Sequence, residues 1–247
     1  MVEADVSILH RGDFYRVLNF KCHCTECSLS AKEYNKAFDI CFVRAGYFEY
    51  NIFRNRHEVH IGRVLLTKPG TEHTTATTLN DQPDLCTVLD FTPAFYERMT
   101  ADYGRLAPWF FHNNDVASVL INTSPQINYF HRQLLAMLEE KQHHMPVDEL
   151  VLRIVGDIMR LLTHCPELPE LPASLKRYHL ATVENALAFL HDHFNQNISL
   201  QQLADHCCVS LFHFSRIFKS VMRSFRPIAT SPRFDYSTHN SCLRSRN

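Results

Sequence analysis

Three groups of side chains in this 247-residue sequence could do chemistry. The first is a set of thiols, Cys22, Cys24 and Cys27, spaced C-x-C-x-x-C. If the run KCHC ends a strand, Cys22 and Cys24 share a face and the following turn can bring Cys27 alongside. That would give three thiolates for a soft metal such as zinc, with His23, Cys41 or Cys86 as a fourth ligand. Two other readings stay open, reduced cysteines packed as small apolar groups and redox sensing. The second is His73, in the segment GRVLLTKPGTEH, with Phe42 and Tyr50 as candidate lining of a binding pocket. The third is Phe212, Ser215, Arg216 and Lys219, which recur at helical spacing. They would place an aromatic ring, a hydroxyl, a guanidinium and an ammonium on one face. Such a face suits the major groove, where Arg pairs with guanine and an apolar ring meets a thymine methyl. It also fits an ordinary helical hairpin with a solvated polar side.

The elements that must position the third group can be read from the same stretch, SLQQLADHCCVSLFHFSRIFKSVM, residues 199–222. Ser199 can cap a short helix that buries Leu200, Leu203 and Ala204. A turn at Cys207, Cys208 and Val209 leads to Ser210, a second cap candidate. From there Phe214, Ile217, Phe218 and Val221 follow the three-and-four spacing of a buried face. A preceding helix carries Leu180, Val183, Leu187, Leu190 and Phe194 on one side.

With that helix, the segment NISLQQLADHCCVSLFHFSRIFK resembles the first helix-turn-helix of the AraC/XylS family of bacterial transcription regulators. The shared wording is ISL--LA followed by S---FSR-FK. The resemblance implies promoter DNA as a partner, with Phe212, Ser215 and Arg216 at base edges and Lys219 at phosphates. Ser210, at the start of the same helix, joins the set. Cys208 stands where the family commonly has Gly. Family members continue with a Gly-x-Ser/Thr-Pro turn, a long connecting helix and a second helix-turn-helix. This sequence reads RSFRPIATSPRFDYSTHNSCLRSRN instead, and Pro227 and Pro232 block a long helix. The expectation is a disordered, atypical tail over 223–247, from a truncated or frameshifted gene, and weakened specific DNA binding.

Upstream, VLNFKCHC, AFDICFVRA, YFEYNIF, EVHIGRVLLTK, EHTTATTL and DLCTVLDF are rich in Val, Ile, Phe, Tyr and Thr and are separated by turn signals. Short strands at this spacing predict a closed barrel or sandwich. The segment from Gly62 to His73 resembles the second half of a cupin signature, with Pro69 one place off the strict enzyme pattern. A metal-dependent cupin needs further converging ligands, normally a His-x-His with a carboxylate on an earlier strand. The corresponding stretch, YNKAFDICFVRAGYFEY, has no histidine, so the barrel reads as a binding cup and not an active site. His57 and His60 are expected in a hairpin, exposed on one side.

After the barrel, TPAFYERMTADYG reads as a closing helix and Phe110 to Asp115 as a loop. Ile127, Phe130, Leu134, Leu138 and Lys141 then make one helical stripe, broken at His143, His144 and Pro146, and Val147, Leu150, Val151, Ile154, Ile158, Leu161 and Leu162 make another. The pair forms an αα-hairpin that could cap the barrel. By the family resemblance it could instead join two subunits. The acid-proline segment CPELPELPASLKR marks a linker.

Net charge is −1, so any DNA affinity must come from a local patch. Lys176, Arg177, Arg216, Lys219, Arg223 and Arg226 supply one. Nine cysteines, an odd number, and the lack of a signal-like apolar block point to a reducing interior, the cytoplasm. There is no apolar run of about 18 residues, so no membrane partner is expected.

The sequence therefore predicts an α+β chain. Residues 1–100 form a cupin-like effector-binding barrel, 101–165 a helical hairpin for possible dimerisation, 166–176 a linker, and 177–222 a partial AraC-type helix-turn-helix domain. The implied function is that of a non-enzymatic, DNA-binding transcription regulator, a homodimer whose partners are promoter DNA and a small effector. The alternatives are a cupin-fold enzyme, or a ligand-binding or dimerising protein without effective DNA binding.

Overall fold

Alternation along the strands decides which way each side chain faces, and in this computed structural model both faces of one sheet are used. The structure describes residues 4–22, 28–52, 55–77, 83–140, 144–164, 173–193 and 196–222. The barrel is built from β1 (Ala4–Arg11), β2 (Tyr15–Cys22), β3 (Ser28–Leu29), β4 (Glu33–Tyr34), β5 (Phe38–Ala45), β6 (Tyr47–Ile52), β7 (Asn55–His60), β8 (Arg63–Thr67), β9 (Glu72–Thr77), β10 (Asp84–Phe91) and β11 (Ser118–Asn122). One sheet has the order β1-β2-β10-β5-β8-β11, and the other β3-β9-β6-β7 with β4 also pairing β9.

The outer face of the larger sheet presents Tyr15, Val17, Phe38, Ile40, Phe42, Val64, Leu66, Leu89 and Phe91 to the helices. These are α1 (Pro93–Tyr103), α2 (Pro108–Phe111), α3 (Pro125–Glu139) and α4 (His144–Thr163). The inner face sets Cys41, Val43, Leu65 and Cys86 against Phe48, Tyr50, Ile52 and Val59 of the smaller sheet. A sheet covered on both sides explains why β5 and β8 read as nearly continuous apolar runs.

A third core lies in α5 (Ala173–Asp192), α6 (Leu200–His206) and α7 (Leu211–Met222). It contains Leu180, Val183, Ala186, Ile198, Leu203, Ala204, Phe214, Ile217, Phe218 and Val221, and it takes in Tyr47 and Ile61 from the barrel.

The α+β architecture agrees with the sequence reading, and several details differ. β1 was not anticipated, because its residues are almost all exposed and bury no periodic face. The stretch 101–165 holds more than a hairpin: β11 lies within it and completes the larger sheet beside β8. The expected loop from Phe110 begins inside α2, which buries Phe110 and Phe111. The linker over 166–176 lies mostly outside the described residues, and α5 already runs from Ala173. His60 is fully buried and His57 is half-buried. The expected hairpin is β6 and β7 of the smaller sheet, in which Arg56 is exposed whereas His60 is turned away from solvent. His60 Nδ1 is 2.7 Å from the carbonyl oxygen of Ile61, and His57 Nε2 is 2.8 Å from Ser118 Oγ. The expected tail, 223–247, and Cys24 and Cys27 lie outside the described residues.

Candidate nucleic-acid interface

The helix-turn-helix begins with a reciprocal cap. Ser199 Oγ accepts from the Gln202 amide at 3.1 Å, and Gln202 Oε1 accepts from the Ser199 amide at 2.7 Å, so two donors of the first turn of α6 are satisfied. At the turn, the Cys208 amide donates to the Asp205 carbonyl at 3.0 Å and the Val209 amide to the Ala204 carbonyl at 3.0 Å. Closing the helix this way puts Cys208 at φ 56, in the left-handed region where Gly is favoured. The Cys207 thiol turns inward and donates to the Thr182 carbonyl at 3.4 Å, tying the turn to α5. Ser210 Oγ then accepts from the His213 amide at 3.3 Å, so this hydroxyl caps α7.

The two faces of α7 separate sharply. Phe214, Ile217, Phe218 and Val221 are buried, whereas Phe212 is 78 % exposed, an unusual position for a phenylalanine. Arg216 and Lys219 are exposed and Ser215 is half-buried on the same outward side. Among the described residues, no carboxylate pairs with Arg216 or Lys219. A neighbour that sequence reasoning missed is His179 of α5, whose ring meets His213 at 5.7 Å. Burial, then His213 and Arg216, push its pKa down. The uncharged imidazole therefore adds donor and acceptor capacity beside Arg216. Its signal in sequence was weak, since nothing in the spacing of residues 179 and 213 announces contact.

The candidate effector residues divide. Tyr50 and His73 come together inside the barrel, their rings stacked at 4.7 Å. Tyr50 OH accepts from Asn35 Nδ2 at 2.8 Å, and His73 Nε2 lies 4.0 Å from a Glu33 carboxylate oxygen. Phe42 faces the other way, because it alternates with Cys41, and stacks on His131 of α3 at 4.2 Å. Burial, then Arg44 and Arg132, lower the His131 pKa to about 3, so this histidine is a neutral core residue.

The inner barrel face also carries a polar row that sequence reading missed. Arg16, Asp90, Asp39, Thr67 and Ser118 are successive cross-strand partners, and Arg16 is paired with Asp90. Burial, and then the Asp90 carboxylate, raise Asp39 to about 8. Of the thiol triplet, Cys22 is described, half-buried and not in a disulfide. Among the described residues, no group of three or more His, Cys, Asp or Glu side chains is arranged to hold a metal ion.

Barrel and helix-turn-helix meet at a seam. The Gly46 amide donates to Glu184 Oε1 of α5 at 3.1 Å, and the Tyr47 amide to Asp84 Oδ1 at 2.9 Å. Burial foremost, with the nearby Asp84 carboxylate, raises Glu184 to about 7 against the opposing pull of the Gly46 amide. Gly46 is required here: φ is +86, and an added Cβ would lie 2.0 Å from Asp84 Oδ1.

The fold and this surface define an α+β protein whose last described elements, α6 and α7, form a helix-turn-helix. Residues 190–222 match the sequence family described as bacterial regulatory helix-turn-helix proteins, AraC family. No curated relative matches the sequence. Among solved structures, the chain is similar to ToxT from Vibrio cholerae, at 11% identity over 87% of this chain and 97% of that one, with a TM-score of 0.43. ToxT of strain O395 bound to (E)-4-(8-methylnaphthalen-1-yl)but-3-enoic acid gives 10% identity over the same shares and a TM-score of 0.44. A cupin superfamily protein from Desulfitobacterium hafniense gives 10% identity over 36% of this chain and 77% of that one, with a TM-score of 0.30. Among the described residues, no helix is long and apolar enough to cross a membrane.

Proposed function

We propose that this chain is a DNA-binding transcription regulator of the AraC type that responds to a small-molecule effector held in its barrel. The observation that carries the reading is the outward side of α7, where Phe212, Ser215, Arg216 and Lys219 stand clear of the core within the matched segment. In this reading α7 lies in the major groove, with Phe212, Ser215 and Arg216 at base edges and Lys219 on the phosphates. Ser210 acts by capping the helix. The protein works in the cytoplasm, where promoter DNA is.

The seam supplies the route of control. An effector that shifts β5, β6 or β10 alters the Gly46–Glu184 bond and the packing of Tyr47 in the helical core, and so biases how α5 carries α7. Tyr50 and His73, with the polar row beside them, are the proposed effector contacts. Dimerisation through α3 and α4 belongs to the same proposal, supported by exposed Tyr129 and Leu152 on these helices.

Gel-shift binding to DNA upstream of the protein's own gene tests the assignment, with Arg216→Ala as the control. Loss of one base contact costs about 1–3 kcal/mol, roughly 5- to 150-fold in affinity, together with relaxed selectivity. Unchanged affinity and selectivity would remove Arg216 from the groove.

A further inference from the structure

The inner face of the larger sheet carries three cysteines on one diagonal. In register, Asp84 of β10 stands opposite Cys22 of β2. Cys86 stands opposite Val43 of β5, and Val88 opposite Cys41. One step along the diagonal therefore leads from Cys22 to Cys86, and a second step from Cys86 to Cys41. Cys41 and Cys86 are buried in the barrel interior, and neither is in a disulfide. Their side chains are hydrogen-bonded to each other, a contact that, ahead of burial, holds the Cys86 thiol well above the ordinary range.

The geometry decides what such a pair can do. Diagonal neighbours in an antiparallel sheet have Cα atoms about 7–8 Å apart, and a disulfide usually needs about 4.4–6.8 Å between Cα atoms and an S–S bond of about 2.05 Å. Direct oxidation would have to pull two central strands together. A bridging atom is easier to fit. With S–X bonds of about 2.3 Å, as zinc makes with thiolates, a tetrahedral or pyramidal centre holds two sulfurs at about the separation of hydrogen-bonded thiols. A third ligand set is not needed for a two-thiol chelate.

We propose that Cys41 and Cys86 form a dithiol site inside the barrel for a thiophilic ligand, a trivalent arsenical in particular. With an arsenoxide the step balances without an oxidant. Each thiol gives its proton to the arsenoxide oxygen, which leaves as water, and two As–S bonds replace the As–O double bond while arsenic stays trivalent. The site lies two residues from Asp84, whose carboxylate holds the Tyr47 amide, so occupation presses on the strand end that meets α5. That second consequence rests on the effector reading above, whereas capture does not.

Neighbouring cysteines provide the contrast. Cys207 and Cys208 adjoin in sequence, but Cys207 points inward to the Thr182 carbonyl and Cys208 is exposed, so they face apart.

The test uses the reduced full-length chain and phenylarsine oxide, read by intact mass without DNA. The expected result is one bridged adduct fewer in Cys41→Ser and in Cys86→Ser than in the parent, with capture at this site weakened by about 100-fold once only one sulfur remains. Cys207→Ser/Cys208→Ser retains the adduct. Digestion of the unsubstituted adduct gives a readout that needs no variant to fold, with arsenic joining the peptide that holds Cys41 to the one that holds Cys86. An undiminished adduct count in Cys41→Ser or Cys86→Ser, or arsenic mapped to other cysteines alone, overturns the proposal. Capture that leaves DNA binding unaltered would overturn the coupling of this site to α5 while leaving the dithiol site intact.

Discussion

Phe212 and Phe214 sit two residues apart on one helix and have opposite energetics. Phe214 is fully buried in the helical core, so Phe214→Ala should destabilise the domain by about 3–5 kcal/mol, read as a lower denaturation midpoint. Phe212 is solvent-exposed, so Phe212→Ala should change stability by no more than about 0.5 kcal/mol. A loss of DNA affinity without a loss of stability is the signature expected of the groove face. Cys208 makes a third case. It holds a left-handed conformation that costs a residue with a Cβ about 1–2 kcal/mol. Cys208→Gly should therefore raise stability by about 1 kcal/mol, less what glycine's freedom in the unfolded chain takes back, read as a higher denaturation midpoint. An unchanged or lowered midpoint would mean that the cysteine side chain makes a compensating contact.

At the scale of elements, α6 depends on its cap more than its length suggests. Seven residues cannot hold a helix by propensity alone, and the two reciprocal hydrogen bonds at Ser199 and Gln202 satisfy donors that would otherwise be exposed. Ser199→Ala should cost about 1 kcal/mol and raise amide exchange in the first turn of α6 before any effect on α5. The Ser199 cap, the two stripes of α3 and α4, and the division of α7 were legible in sequence, because each depends on neighbours within a turn or two of helix, whereas the return bond from Gln202 was not read there. β1 and β11 were not. An edge strand that buries little carries no alternation, and β11 is identified by its partner β8 rather than by its own five residues. Phe42 was grouped with Tyr50 and His73 because residue type alone does not say which face of a strand points inward.

Across the whole molecule, the two parts are joined at a titrating contact. Glu184 has its folded pKa raised from the ordinary 4.5 to about 7. A group raised in this way contributes stability that is fully present below its unfolded pKa and is lost as pH rises through the folded value. The seam should hold tightest below about pH 4.5 and loosen progressively towards and above pH 7. The charged groups to be considered with it are Glu184 itself and Asp84 across Gly46. Glu184→Gln should flatten the dependence that this contact contributes between pH 5 and 8, measured as amide exchange at Gly46 and Tyr47. If exchange there follows the same pH curve in the variant, Glu184 is not the titrating group. Gly46→Ala should open the seam at every pH, since its Cβ would collide with Asp84.

Taken alone, the order of residues determined the amphipathic helices, the caps, the strand-rich first half and the resemblance of residues 199–222 to a DNA-reading unit. Each of these depends on neighbours within a few positions, where spacing fixes which side chains share a face. Tertiary structure alone decided that Cys22, Cys86 and Cys41 lie on one diagonal, that Arg16, Asp90, Asp39, Thr67 and Ser118 form a row, and that Glu184 meets Gly46. Those contacts span up to 138 residues, and pairing register and packing, which no local pattern encodes, bring them together.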